Sequence, residues 1–117
     1  MESKEIFELK DNVLIIHVDG ELDHHNSIYI RKSADDIICM HNVKIVVFDF
    51  LKTGFMDSSG IGVIMGRYKK LKSIGGSIGV INVSKSIEKI LLFSGLNKII
   101  KYYKNMNEIF IEAGGKN

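Results

Sequence analysis

Small polar residues stand together at Asp57-Ser58-Ser59-Gly60, between an apolar run and a strongly amphipathic stretch. The spacing of that stretch predicts a helix, whose first turn Asp57 or Ser58 would cap. The free N–H groups and the positive dipole end of a helix also favour an anion there. A serine hydroxyl in this position is therefore suited to carrying a phosphate, and capping alone would account for the same residue types.

These residues fit neither the motif of a serine hydrolase nor that of a dinucleotide-binding loop. Ser58 and Ser59 lack the Gly-x-Ser-x-Gly elbow of a serine hydrolase, and no oxyanion loop precedes them. The glycines Gly60, Gly62 and Gly66 lack the spacing of a dinucleotide-binding loop. We therefore expect neither a serine hydrolase nor a dinucleotide site.

The histidines and the single cysteine do not form a metal-binding pattern. His24 and His25 are adjacent, so on a helix they point about 100° apart, and Cys39 is distant in sequence. We interpret the pair as a solvated first helical turn. His17 and His41 have no evident partners and are interpreted as structural. We expect no metal site.

Length and composition restrict the class of protein. At 117 residues the chain has the size of one domain, so we expect a single domain over residues 1–117. Its longest apolar runs are far shorter than the roughly 20 residues of a membrane span, and no signal peptide is evident. The single Cys39 fits a reducing compartment. These features predict a cytoplasmic protein without membrane contact.

The charge balance does not indicate a nucleic-acid partner. The 16 basic and 14 acidic residues give a formal net charge of only +2. The chain has 14 Lys but only two Arg, which indicates a general compositional bias toward lysine. Clusters of lysine are therefore weak evidence for a binding surface. The basic residues of the amphipathic stretch are therefore interpreted as a solvated helix face; they are Arg67, Lys69, Lys70 and Lys72.

Hydrophobic periodicity predicts an α/β protein of order ββαβαβαβα. The runs at 6–9 and 13–18, separated by Asp11-Asn12, predict an antiparallel hairpin. The run at 43–48 is typical of a strand buried on both faces of a parallel sheet. Further strands are predicted at 77–83 and 99–102, and helices at 23–40, around 61–72, between Ser84 and Gly95, and at 105–113.

Three sequence blocks resemble one known family. They are residues 20–25 (GELDHH), 55–69 (FMDSSGIGVIMGRYK) and 94–100 (SGLNKII). In order and spacing they resemble the anti-sigma factor antagonists of the STAS superfamily, and are closest to the sporulation type. The resemblance extends over about residues 13–102. The MDSSG block is shared with general-stress antagonists, so it is the GELDHH block that narrows the match to the sporulation type.

The resemblance implies a STAS-like single domain, with a mixed, mostly parallel sheet, an N-terminal antiparallel hairpin and packed helices. It implies a regulatory protein and not an enzyme. The unmodified form would bind an anti-sigma factor that is also a serine kinase, freeing the sigma factor. That kinase would inactivate it by phosphorylating Ser58, and a serine phosphatase would reverse the step. The nucleotide belongs to the kinase, so no cofactor is expected, and the free chain is expected to be a monomer.

The expected partner surface combines the first block with the Ser58 turn, because functional loops gather at the carboxyl ends of parallel strands. Its candidate residues are Glu21, Asp23, His24, Asp57, Ser58, Ser59, Gly60 and Gly62. Two alternatives stay open. One is a general-stress antagonist, and the other is a STAS module that binds a small anion or nucleotide at the same helix end without a kinase.

Overall fold

The computed structural model describes residues 6–114, so the ends of the predicted domain 1–117 lie outside the described residues. These residues form one five-stranded sheet with α-helices packed on both faces. No helix within them is long and apolar enough to cross a membrane. The elements are β1 (Phe7–Lys10), β2 (Val13–Asp19), α1 (His24–Met40), β3 (Ile45–Lys52), α2 (Ser58–Lys72), β4 (Ser77–Ile81), α3 (Lys85–Ser94), a 3-10 turn (Leu96–Lys98), β5 (Lys101–Tyr103) and α4 (Met106–Gly114).

The strands lie in sequence order, β1 to β5. Strand β1 pairs with β2 in the antiparallel sense, with Leu9 opposite Leu14, and every later pair is parallel. The predicted hairpin, element order and mixed, mostly parallel sheet are therefore confirmed. Strand β2 is an interior strand of the sheet, and its first four residues, Val13 to Ile16, have no solvent exposure.

Each face of the sheet carries its own hydrophobic core. Side chains alternate along a strand, so even-numbered residues of β2 and β3 face one side and odd-numbered residues face the other. The larger core lies against α1, α2 and α3, and the smaller one lies against α4. The central strands contribute Leu14, Ile16, Val46 and Phe48 to the larger core, and Val13, Ile15, Ile45 and Val47 to the smaller one.

Some element boundaries differ from the prediction. Strand β3 continues to Lys52 although it contains Asp49, because that carboxylate has polar partners beside the sheet. Strand β4 ends at Ile81, since Asn82 has a left-handed backbone with φ of 61°. The predicted end of α3 is confirmed, because Gly95 adopts φ of 83° and the following Leu96 is buried.

One interpretation of a charged residue is wrong. Arg67 does not belong to a solvated face: it is only 5% exposed, and its Nε lies 2.9 Å from Asp35 Oδ1, which links α2 to α1. His17, interpreted as structural, has partners that the sequence did not identify, because its ring nitrogens contact the carboxylates of Glu8 and Asp49. The partners of both residues are distant in sequence.

Candidate functional site

The two predicted partner segments meet in the structure. Beyond the ends of β2 and β3, Leu22 and Met56 form one further parallel bridge. The N–H of Leu22 donates to the carbonyl of Phe55 at 3.1 Å, and the N–H of Asp57 donates to the carbonyl of Leu22 at 3.3 Å. Because the Leu22 and Met56 side chains are buried, this bridge fixes the starts of α1 and α2 next to each other.

An aspartate caps each of these helices. Asp23 Oδ1 accepts from the N–H of Asn26 at 3.0 Å and caps the start of α1. Asp57 Oδ1 accepts from the N–H of Ser59 at 2.8 Å at the start of α2. Each cap directly follows a residue of the Leu22–Met56 bridge, so the bridge also places the two carboxylates on neighbouring helix ends.

Ser58 is the first residue of α2 and is not its cap. Since Asp57 supplies the capping oxygen, the Ser58 side chain is not required for that purpose, and it is exposed. Ser59, one residue further along, is half-buried. Ser58 is therefore the serine of this turn that an approaching protein reaches more easily, at the helix end that favours a negative charge.

Gly60 and Gly62 occupy different environments. Gly60 is buried, and a Cβ built on it would stand 2.7 Å from the carbonyl oxygen of Leu22. Gly62 is exposed, and a Cβ there would have no atom within 4 Å. Gly60 therefore shapes the turn by close packing, whereas Gly62 lies on the accessible surface of α2.

Three hydrogen bonds that sequence reasoning missed hold the segment before Ser58. The buried hydroxyl of Thr53 donates to the carbonyl of Val18 at 3.0 Å. The N–H of Gly20 donates to the carbonyl of Lys52 at 3.2 Å, and the hydroxyl of Ser86 on α3 donates to the carbonyl of Gly54 at 3.0 Å. The only signal in the sequence was Thr53 itself, a small polar residue after an apolar strand.

The candidate residues differ in how accessible they are. Glu21, His24, Ser58 and Gly62 are exposed, whereas Asp23, Asp57 and Ser59 are half-buried. The side chain of Phe55 was not among the candidates, yet it is 49% exposed in the same turn. An aromatic residue beside an exposed hydroxyl offers a partner both apolar area and a polar contact.

The described residues offer no arrangement suited to a metal ion. Within residues 6–114, no group of three or more His, Cys, Asp or Glu side chains is placed to hold one. His24 and His25 are both exposed at the start of α1.

Comparison with known proteins gives concordant matches. Residues 6–109 match the STAS domain family. An anti-sigma F factor antagonist from Paenibacillus polymyxa is 42% identical over 93 residues, which cover 80% of each chain. The solved structure of the antagonist SpoIIAA in its unphosphorylated form matches with a TM-score of 0.85 at 29% identity, covering 95% of this chain and 96% of that one. The phosphorylated form of the Bacillus protein SpoIIAA matches with a TM-score of 0.71 at 31% identity, covering 88% and 94%.

Proposed function

The chain belongs to the STAS domain family, on its branch of anti-sigma factor antagonists, and on that premise we propose that its activity is switched by phosphorylation of Ser58. The unphosphorylated form binds an anti-sigma factor that is also a serine kinase, and the sigma factor is thereby released. The kinase then phosphorylates Ser58, which ends the interaction. A serine phosphatase restores the binding form. The chain is a regulator and a substrate in this scheme.

The exposure of Ser58 at the start of α2 is the observation that carries the proposal. A phosphate on this hydroxyl would lie at the positive end of the helix dipole, which offsets part of its charge. The match to solved structures of both the unphosphorylated and the phosphorylated SpoIIAA supports a fold that tolerates the modification. Phosphorylation therefore changes the surface and leaves the domain folded.

Charge explains how the modification acts on binding. A phosphate adds about −1.5 to −2, which brings the formal net charge of +2 close to zero and concentrates negative charge beside Asp57. In a complex, this dianion must lose its water against a surface shaped for a hydroxyl. A loss of only ~3 kcal/mol weakens binding roughly a hundredfold, which is enough for a switch.

The partner surface is the pair of segments joined by the Leu22–Met56 bridge. Glu21, His24 and Ser58 supply exposed polar groups there, and Phe55 supplies apolar area. Asp23 and Asp57 contribute charge next to the phosphoacceptor, and Gly60 permits the close packing of the turn. Ser59, half-buried, and Gly62, exposed on α2, complete the surface. We expect the free chain to be a monomer that needs no cofactor.

The relationship to the anti-sigma F factor antagonist of Paenibacillus polymyxa favours the sporulation type over the general-stress type. The role also requires the chain to meet its partner in the cytoplasm, where sigma factors direct transcription. A pull-down from lysate of the source organism, followed by identification of the captured proteins, distinguishes these partners. Capture of an anti-sigma F factor supports the sporulation type, and capture of a general-stress anti-sigma factor contradicts it.

The modification is tested with the captured kinase and ATP. Intact-mass measurement should show the addition of one phosphate, and fragmentation should locate it on Ser58. Ser59→Ala is the matched control, because it removes the neighbouring hydroxyl and should leave phosphorylation intact. Efficient phosphorylation of Ser58→Ala would contradict the proposal. Failure of any kinase to modify the chain, together with binding of a free nucleotide or small anion, would instead favour the ligand-binding alternative.

A further inference from the structure

His17 bridges three strands of the sheet. Its Nδ1 lies 2.7 Å from Asp49 Oδ2 on β3, and its Nε2 lies 2.8 Å from Glu8 Oε1 on β1. Asp49 Oδ1 in turn accepts hydrogen bonds from the side-chain amide of Asn82, just after β4, and from the N–H of Leu51. The network therefore runs from the edge strand β1 through β2 and β3 to the end of β4.

These two short contacts specify the protonation state of the ring. An ionised carboxylate only accepts hydrogen bonds, and a neutral imidazole has a single N–H to donate. Both contacts are hydrogen bonds at once only if the ring carries two protons or a carboxyl carries one. The two N–H donors already on Asp49 Oδ1 favour the ionised form of Asp49. With Asp49 ionised and Glu8 exposed to water, the arrangement favours a doubly protonated His17, which donates from Nδ1 and Nε2.

We propose that protonated His17 is a pH-sensitive clamp that fastens β1 to the centre of the sheet and loosens its hold when the ring loses a proton. Strand β1 depends on such a contact because it is a four-residue edge strand. Three of those residues, Glu8, Leu9 and Lys10, are exposed. Beyond its backbone pairing with β2 and the packing of the half-buried Phe7, β1 has little buried side-chain surface to retain it.

The ring can exchange its proton with solvent. The His17 side chain is 34% exposed, beside a cavity of about 320 Å³. Four charged side chains face the ring: Glu8 from β1, Asp19 from β2, and Asp49 and Lys52 from β3. The segment after β4 contributes only the uncharged side-chain amide of Asn82, which contacts Asp49. Asp19 and Lys52 are both exposed and of opposite sign, so solvent screens them and the two bonded carboxylates dominate.

The shift in the pKa of His17 gives the direction of the effect. Partial burial lowers this pKa, but hydrogen bonds and negative charge from Glu8 and Asp49 raise it by more, to above the ordinary value of 6.5. Because the folded-state pKa is raised, the stabilisation is complete below the unfolded-state pKa and is lost as pH rises through the folded-state pKa. The folding equilibrium constant falls about tenfold for each pH unit between those two pKa values.

Urea unfolding across a pH series tests the clamp in the full chain. We expect the stability of the parent to fall as pH rises above about 6.5, and His17→Gln to lose this dependence. His41→Gln removes an exposed histidine at the end of α1 and should keep the parental profile. An equal pH dependence in the parent and in His17→Gln would overturn the proposal.

Two NMR measurements on folded protein keep the test decisive if His17→Gln is too unstable to study. The ring of His17 should titrate above 6.5 in the parent, and nearer to 6.5 in Glu8→Gln. Amide hydrogens of β1 should exchange faster above that pH, beyond the increase seen for β4. Titration of the parent ring at or below 6.5, or equal acceleration in β1 and β4, would show that no clamp exists.

Discussion

The backbone of Gly60 lies directly against the carbonyl of Leu22, so closely that a Cβ on Gly60 would stand 2.7 Å from that oxygen. It would also stand 2.9 Å from Leu22 Cγ and 3.0 Å from Met56 Cβ. The first turn of α2 therefore reaches its position against the α1 segment only because residue 60 has no side chain. This contact determines where Ser58 stands relative to Asp23.

We predict that Gly60→Ala destabilises the chain by about 1–3 kcal/mol, since backbone and buried side chains must shift to admit the methyl group. Gly62→Ala is the matched control in the same helix. A Cβ there meets no atom within 4 Å, so the better helix propensity of alanine should stabilise the chain by up to about 1 kcal/mol. Urea unfolding measures both, and equal stabilities would contradict the packing argument.

We predict that Asp23→Ala weakens binding of the anti-sigma factor without unfolding the domain. The substitution removes a half-buried carboxylate next to the Ser58 turn, together with a helix cap worth about 1 kcal/mol. Calorimetric titration measures the affinity, and a melting curve measures the cost of the lost cap. Unchanged affinity would remove Asp23 from the partner surface.

Asp23→Asn separates the charge of this residue from its capping role. Asparagine caps helices about as well as aspartate, so the melting curve should match that of the parent. If the carboxylate itself contacts the partner, Asp23→Asn should weaken binding as much as Asp23→Ala. Parental affinity in Asp23→Asn would show that Asp23 acts only by positioning α1.

Much of this site follows from local sequence patterns. The spacing of apolar residues is a property of each helix and strand alone, so the element order could be predicted. The meeting of the Asp23 and Ser58 segments followed from parallel pairing of β2 and β3, because parallel strands end at the same edge. The choice between Asp57 and Ser58 as cap could not be made, since both residue types cap helices well.

Contacts between residues that are distant in sequence could not be predicted in the same way. The pairing of His17 with Glu8 and Asp49 depends on the register of three strands, which apolar runs of similar character do not specify. The burial of Arg67 depends on how α1 packs against α2, and on Asp35 being there to receive its charge. Periodicity along one helix gives no information about either partner.

The Arg67–Asp35 pair leads to a third prediction, that Asp35→Asn is more destabilising than Arg67→Met. Asp35→Asn leaves the Arg67 side chain, which is only 7% exposed, without its counter-ion and near the like charge of Arg31. Because the Asp35 side chain is 31% exposed, solvent screens the ion pair, and we expect the free energy of unfolding to fall by only about 1–3 kcal/mol. Arg67→Met keeps apolar volume and leaves Asp35 able to reach water. The reverse order in urea unfolding would contradict this account.

The last prediction separates charge from fold at Ser58, using the parent, Ser58→Ala and Ser58→Asp. A carboxylate at the first residue of α2 meets a favourable helix dipole, so Ser58→Asp should melt at or slightly above the parent, by a gain of about 0.3–1 kcal/mol. Ser58→Asp should bind the anti-sigma factor more weakly than the parent, because an extra negative charge beside Asp57 enters the interface without a counter-charge to receive it. Ser58→Ala should keep anti-sigma factor binding. Should Ser58→Ala lose binding as completely as Ser58→Asp, the hydroxyl itself is the essential contact and the electrostatic account of the switch is wrong.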